Sequence, residues 1–336
     1  MKLIILVVRI MSTSIAPILA RYGAAFERLR WVPLGSGGGF SGADLWRGED
    51  AGAPLFALKL WPEAMTAARL EAIHEWMAKA SHLTFVPEVV RTPRPPIVEG
   101  RVWDLTRWMP GIADFHANPS DLRLVNACEA LAQLHRAWRP TSPKFAPCPA
   151  IERRLRILAD WKQNRERIAQ SFTGSPSLAR PANETLRRGA EAVARLVEPA
   201  ERVLSQCLAR PVAVQPCLCD LWHDHVLFTG DAVTGIVDYG AMKEDHAAVD
   251  LARLLGDLVG EDDAKFELGL NAYRAASAAS DVASSFVRLL DRTGIACATI
   301  VWLLRFLGNS RTIFKTRAVL DRVARLVARL EAIRVF

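Results

Sequence analysis

The segment 214–240, VQPCLCDLWHDHVLFTGDAVTGIVDYG, constrains the fold more than any other part of the chain. Two short apolar runs, 212–214 and 226–228, flank a tight polar stretch. A third run, 235–237, follows a Gly230-Asp231 turn signal. Apolar runs this short, separated by turn residues, predict strand, loop, strand, turn, strand. Two carboxylates occupy informative places: Asp220 opens the loop and Asp238 ends the last strand, with His225 five residues after Asp220. An acid, a metal-binding side chain five residues on and a second acid after a β-hairpin is the layout of a phosphoryl-transfer site.

The first hundred residues read as β-rich. An amphipathic helical stretch at 17–30 leads to an apolar run at 31–34, then GSGGGFSG, then a second run at 43–48. Gly37, Gly39 and Gly42 fit G-x-G-x-x-G. Because the loop lies between two β-runs, the pattern argues against a dinucleotide-binding turn, which precedes a helix. It suits a loop whose backbone N–H groups approach an anion, and a glycine-rich hairpin without ligand has the same letters. The run 55–61 carries Lys59 among apolar neighbours, where an ammonium needs an anion or water. A helix from Pro62 to about 79 offers Glu71 and Glu75 as partners for it. Short strands are expected at 88–90 and 97–98, and 101–109 alternates as a strand until Pro110-Gly111 stops it. That stop is the expected hinge.

Helical periodicity dominates the remainder, at 120–138, 150–172 and 183–209 before the opening segment and at 247–259, 262–278, 281–307 and 314–334 after it. Residues 140–149, with four prolines, read as a linker. His135 sits on an apolar helical stripe, where a histidine is more often structural than a ligand. A chain of 336 residues has room for two lobes, each with a core. The net charge of +7 comes from arginines scattered along the chain, so no nucleic-acid groove is expected. Cys217 and Cys219 are too close for a usual zinc pair, and the six cysteines read as buried thiols in a reducing cytoplasm. The apolar start, MKLIILVVRI, is too short to span a bilayer, and no membrane partner is expected.

Taken in order, the glycine loop, Lys59, an acid-bearing helix, the Pro110-Gly111 stop, the Asp220 loop and Asp238 resemble the aminoglycoside phosphotransferase and choline kinase family. The family's catalytic stretch reads close to H-G-D-x-x-x-x-N, then a hydrophobic hairpin, then I-D-F/W-G/E. The matching letters here are Leu218-Cys219-Asp220 through His225, and Ile236-Val237-Asp238-Tyr239-Gly240. Leu131 to His135 and Asp245 to Asp250 also resemble family segments, and the likeness spans about residues 30–275. It implies an α+β, two-lobed protein-kinase-like fold: an extension at 1–20, a small β-rich N-lobe at 21–108 and a larger, mostly helical C-lobe at 109–336. It implies that Gly37, Gly39 and Gly42 cover nucleotide phosphates, and that Lys59 contacts phosphate oxygens with Glu75 or Glu71 orienting it. Trp108 and Met109 fall at the family's nucleotide-binding hinge. Asp220 matches the catalytic carboxylate and Asp238 the Mg²⁺ ligand.

Two letters depart from the pattern. Leu218 replaces the first histidine, and His225 replaces the metal-binding asparagine. An imidazole nitrogen suits Mn²⁺ or Zn²⁺ better than Mg²⁺. The implied function is transfer of a phosphoryl group from ATP (or GTP), with Mg²⁺ or Mn²⁺, to a hydroxyl of a small molecule, by a cytoplasmic monomer or homodimer. The alternative is a catalytically impaired pseudokinase that binds a nucleotide or another small ligand. A metal-dependent hydrolase built on His223, Asp224, His225 and His246 leaves the glycine loop and Lys59 unexplained. Glu152, Asp160 and Asp257 could meet a polycationic acceptor, but Arg153, Arg154 and Arg156 crowd the same region, which disfavours an aminoglycoside.

Overall fold

The computed structural model describes residues 14–35, 42–173, 180–277, 282–307 and 317–334. The chain divides into two compact units, one built up to Ser81 and from Val86–Met109, the other from His82–Phe85 and Pro110 onward.

The first unit contains α1 (Ala16–Tyr22), α2 (Ala24–Glu27), β1 (Arg30–Gly35), β2 (Asp44–Asp50), β3 (Ala53–Leu60), α3 (Ala67–Lys79), β4 (Ile97–Val98) and β5 (Arg101–Arg107). The strands form one antiparallel sheet in the order β1-β2-β3-β5-β4. Ala51 and Gly52, both at positive φ, make the tight turn between β2 and β3, as hairpin twist requires. Strand alternation places Leu58, Leu60, Trp103 and Leu105 on one buried face, and Ile18 and Leu19 of α1 close over it. Those two residues fall within the stretch read from sequence as an extension ending at 20, yet they are core of this unit. The single helix expected at 17–30 is broken at Gly23, whose φ of 113° an L-residue rarely adopts, and Arg30 is already paired in β1. Helix α3 starts at Ala67 rather than Pro62 because Thr66 caps it, accepting the Arg69 N–H.

The second unit contains α4 (Asp121–Trp138), β6 (Lys144–Ala146), α5 (Pro149–Thr173), α6 (Arg180–Leu208), β7 (Val212–Cys217), β8 (Val226–Thr229), β9 (Ala232–Ile236), β10 (Lys243–Asp245), α7 (Ala248–Val259), α8 (Asp263–Ser277), α9 (Ser284–Leu307) and α10 (Arg317–Ala332). Strand β7 lies between β10 and β6, and β8 pairs with β9. Strand β7 continues through Pro216, although proline cannot donate to a ladder. It does so because β6 pairs only with 212–214, while β10 takes over at 215–217. Gly111, at φ 101°, lets the chain press against the hairpin: a Cβ there would stand 2.4 Å from Thr234 Oγ1 and 2.8 Å from the Phe228 carbonyl. Among the described residues, no helix is long and apolar enough to cross a membrane.

Candidate active site

The loop that carries Asp220 is held by its backbone. As β7 ends, the N–H groups of Leu218 and Cys219 donate to the two oxygens of Asp250 at 2.7 and 2.6 Å. Cys219 sits at φ 62°, a sparsely populated region for a residue with a side chain. Asp250 is fully buried, and its Oδ2 also faces His135 Nε2 at 3.1 Å. The carboxylate can only accept, so His135 donates from Nε2, and its Nδ1 accepts the Tyr273 hydroxyl at 2.7 Å. The His135 carbonyl accepts the Gln215 side chain at 3.1 Å, joining α4 back to β7. Three elements distant in sequence therefore fix the peptide units before Asp220.

The next contacts come from one face of α7. Asp250, Arg253 and Asp257 follow a spacing of three and four residues, which stacks them on one side of a helix. Asp250 holds Leu218 and Cys219, and Arg253 forms an ion pair with the Asp220 carboxylate. Asp257 accepts from the His223 backbone N–H at 2.8 Å and meets His223 Nδ1 at 2.6 Å. Leu251, Leu254, Leu255 and Leu258 lie buried, so one amphipathic helix packs the core and aligns the loop.

His225 is one of the two residues that depart from the expected letters, and its ring is fully engaged. Nδ1 donates to the Asp220 carbonyl at 2.7 Å, and the Trp222 indole N–H donates to Nε2 at 2.9 Å. That pattern is satisfied by one neutral tautomer, and burial lowers the pKa of His225 despite the nearby Asp238 and Asp220 carboxylates. Its Nε2 lies 3.7 Å from Asp238 Oδ2. Asp238 follows β9 in the left-handed region, φ 62° and ψ 68°, and its neighbour Val237 donates to the His225 carbonyl at 3.0 Å. The two predicted metal ligands are thus brought together. Asp238 offers a carboxylate oxygen of the kind a divalent cation takes, whereas the lone pair of His225 Nε2 is spent on the Trp222 indole N–H, so that hydrogen bond must open before the imidazole can serve as a second donor.

In the first unit, Gly37 and Gly39 lie outside the described residues, while Gly42 is at φ 77° with its carbonyl accepting Arg101 Nη2 at 3.3 Å. Lys59 is half-buried on β3, its ammonium 3.9 Å from the centre of the Trp61 ring. Asp104 of β5 stands opposite Lys59 in the strand register, is itself buried and meets His74 of α3 at 3.3 Å. On α3, Glu71 is half-buried and Glu75 exposed. Trp108 donates its backbone N–H to the Leu55 carbonyl at 2.9 Å and lies beneath the Arg47 guanidinium, and Met109 is buried.

Sequence reasoning missed Arg253, Asp104 and the anchoring role of Asp250. The polar face of α7 was a readable signal, since three charged residues at helical spacing interrupt a leucine stripe. His246 is not drawn into the cluster of His223 and His225. Its Nδ1 accepts the Ala248 N–H at 3.2 Å and its ring packs on Phe286.

The profile of the phosphotransferase enzyme family matches residues 34–283. The chain belongs to the phosphotransferase enzyme family. Its structure is similar to that of a spectinomycin phosphotransferase in complex with ADP and spectinomycin, at 12% identity and a TM-score of 0.63 over 90% of this chain and 92% of that one. It is also similar to a choline/ethanolamine kinase family protein from Mesorhizobium loti, at 18% identity and a TM-score of 0.54, covering 94% and 95%. An amicoumacin kinase in complex with AMP-PNP and Ca²⁺ shares the fold at 11% identity and a TM-score of 0.61, covering 94% and 93%. These likenesses establish the kinase-like fold of this phosphotransferase. No curated protein sequence matches the chain.

Proposed function

We propose that this phosphotransferase moves the γ-phosphoryl group of ATP or GTP to a hydroxyl of a small molecule. The observation that carries the proposal is the single hydrogen-bonded loop in which Asp220, His225 and Asp238 converge, with His225 Nε2 3.7 Å from Asp238 Oδ2. Similar folds hold ADP and AMP-PNP, which supports a nucleotide as donor. Asp220 orients the acceptor hydroxyl and takes its proton as the new O–P bond forms and the bond to the leaving diphosphate breaks. Arg253 positions the Asp220 carboxylate, and Asp250 positions the backbone behind it. Asp238, joined by His225 once the Trp222 indole releases Nε2, would hold the divalent cation, which would supply charge neutralisation at the phosphates. In the first unit, Lys59 and the loop ending at Gly42 are the groups assigned to phosphate oxygens, and the segment at Trp108 and Met109 to the nucleotide base.

A second reading has a specific observation behind it. Arg253 already neutralises Asp220, and the Trp222 indole already occupies His225 Nε2, as in a fold kept for binding alone. One experiment separates the two. Asp220→Ala is compared with the unaltered chain in single-turnover phosphoryl transfer to a panel of alcohols, with nucleotide binding followed by thermal shift. Transfer that falls by orders of magnitude while binding survives supports catalysis at Asp220. Binding without transfer in the unaltered chain supports the second reading, and full transfer in Asp220→Ala sinks the assignment.

A further inference from the structure

His223 and Asp257 do work that the proposed reaction does not require, and they have a third companion. His116, from the turn that follows Gly111, is half-exposed and lies with its ring 4.3 Å from that of His223, centre to centre. Its Nε2 is 3.9 Å from Asp257 Oδ2, the same oxygen that meets His223 Nδ1 at 2.6 Å. The three ligand atoms lie within 4.8 Å of one another. A tetrahedral zinc ion with bonds of about 2.0–2.1 Å spaces its ligand atoms roughly 3.3 Å apart. The largely buried His223–Asp257 pair must open slightly, and His116, which is half-exposed, must close on it.

The surroundings are those of a ligand set as well. The other nitrogen of His223, Nε2, lies 3.2 Å from Asp224 Oδ1. A carboxylate on the far side of a metal-bound imidazole fixes its tautomer and raises its basicity. The Asp257 oxygen is also held by the His223 backbone N–H, so its direction is set before any ion arrives. Asp224 and Asp257 bring two negative charges to the cluster, faced by the positive charges of Arg322 and Arg325 on α10.

We infer that His116 Nε2, His223 Nδ1 and Asp257 Oδ2 form a second cation site, for Zn²⁺ or a chemically similar transition metal, with Asp224 orienting His223. The ion takes the place of the proton that His223 and Asp257 now share, and that proton goes to solvent. Three protein ligands leave the fourth tetrahedral position to water or to a donor atom of a small molecule. The site ties the turn at His116, the loop after Asp220 and helix α7 to one ion. It does not depend on the assignment of Asp238 and His225, which involves different side chains.

Cobalt substitution tests it on the full chain after stripping with a chelator. Co²⁺ is expected to give the visible d–d absorption of a tetrahedral site, displaced by one equivalent of Zn²⁺. His116→Ala, at a half-exposed position that leaves the fold intact, is expected to abolish the band. Asp224→Asn is expected to weaken Co²⁺ binding by about 10–100-fold. Asp238→Ala, with an unchanged far-UV spectrum, is expected to keep the band. Absence of the band in the unaltered chain, its survival in His116→Ala, or its loss in a folded Asp238→Ala overturns the inference.

Discussion

Asp250→Asn keeps the size of a fully buried side chain and changes only its charge and one atom, so its cost can be worked from the contacts. In the native protein Oδ2 accepts from Leu218 N at 2.7 Å and His135 Nε2 at 3.1 Å, and Oδ1 accepts from Cys219 N at 2.6 Å. Asparagine has one acceptor oxygen. Its best placement keeps the Leu218 and His135 bonds and turns its NH₂ toward the Cys219 N–H. One buried donor is then orphaned, at about 1–3 kcal/mol. The two surviving bonds lose their charge assistance, about 1 kcal/mol each on the difference between charged and neutral hydrogen bonds. The sum is about 3–5 kcal/mol, and it should appear as a lower urea midpoint at unchanged slope. Tyr273→Phe, which removes one neutral bond to His135 Nδ1, should cost only about 1 kcal/mol. Turnover should also fall in Asp250→Asn, with the nucleotide KM little changed, because Cys219 is released from φ 62° and Asp220 shifts with it. An Asp250→Asn loss below about 1 kcal/mol, or equal to that of Tyr273→Phe, would refute the anchoring argument.

Four further outcomes are expected. Gly256→Ala places a Cβ 1.8 Å from Asp291 Oδ1 on α9, a clash that must push the buried carboxylate away from its partner Arg329, and thermal melts should show a loss of about 1–3 kcal/mol. Ser120→Ala removes the side chain that accepts the Arg123 N–H at the start of α4 and should cost about 1 kcal/mol in chemical denaturation. Glu261 is partly buried, which alone would raise its pKa, but hydrogen bonds and charge from Arg292 and Arg329 hold it below the usual value of 4.5. A depressed folded pKa gives stability that is complete above 4.5 and is lost as pH falls through the folded value, so Glu261→Gln should flatten the acid limb of a stability–pH curve while leaving its neutral plateau lower. Arg253→Met frees the Asp220 carboxylate and should lower kcat by up to about a hundredfold with nucleotide thermal shifts preserved.

Much of the architecture was legible because it is written in short-range patterns. The strands near 31–34, 43–48 and 55–61 are apolar runs broken by glycine, and the helices of the second unit carry leucine stripes; all appear within a few residues of the expected bounds. The exceptions have physical causes. The prolines of 140–149 suggested a linker, but they flank rather than enter Lys144–Ala146, which pairs with β7 as its edge strand. The run at 17–30 has helical composition throughout, yet Gly23 turns the chain and cross-strand pairing claims Arg30. The closeness of Asp220, His225 and Asp238 was readable because they fall within 19 residues of one another around a hairpin. The contacts that hold them were not. Asp250 meets His135 across 115 residues, and no local pattern encodes such a pair.

The polar face of α7 shows what that long-range layer contributes. Asp250, Arg253 and Asp257 rise together along the helix, at about 1.5 Å per residue, over roughly 10 Å. The loop from Leu218 to His223 runs beside them, and each helix residue takes the next part of the loop: two backbone N–H groups, then the Asp220 carboxylate, then His223. A helix is stiffer than the irregular loop it holds, so the spacing of three side chains on α7 becomes the spacing of groups in the loop. The leucines on the other side of α7 fix the helix in the core, and packing interiors tolerate little displacement. Core packing around Leu251 and Leu255 is therefore coupled to the position of Asp220 through a single rigid element. Substitutions on the buried side of α7 should for this reason alter turnover as well as stability.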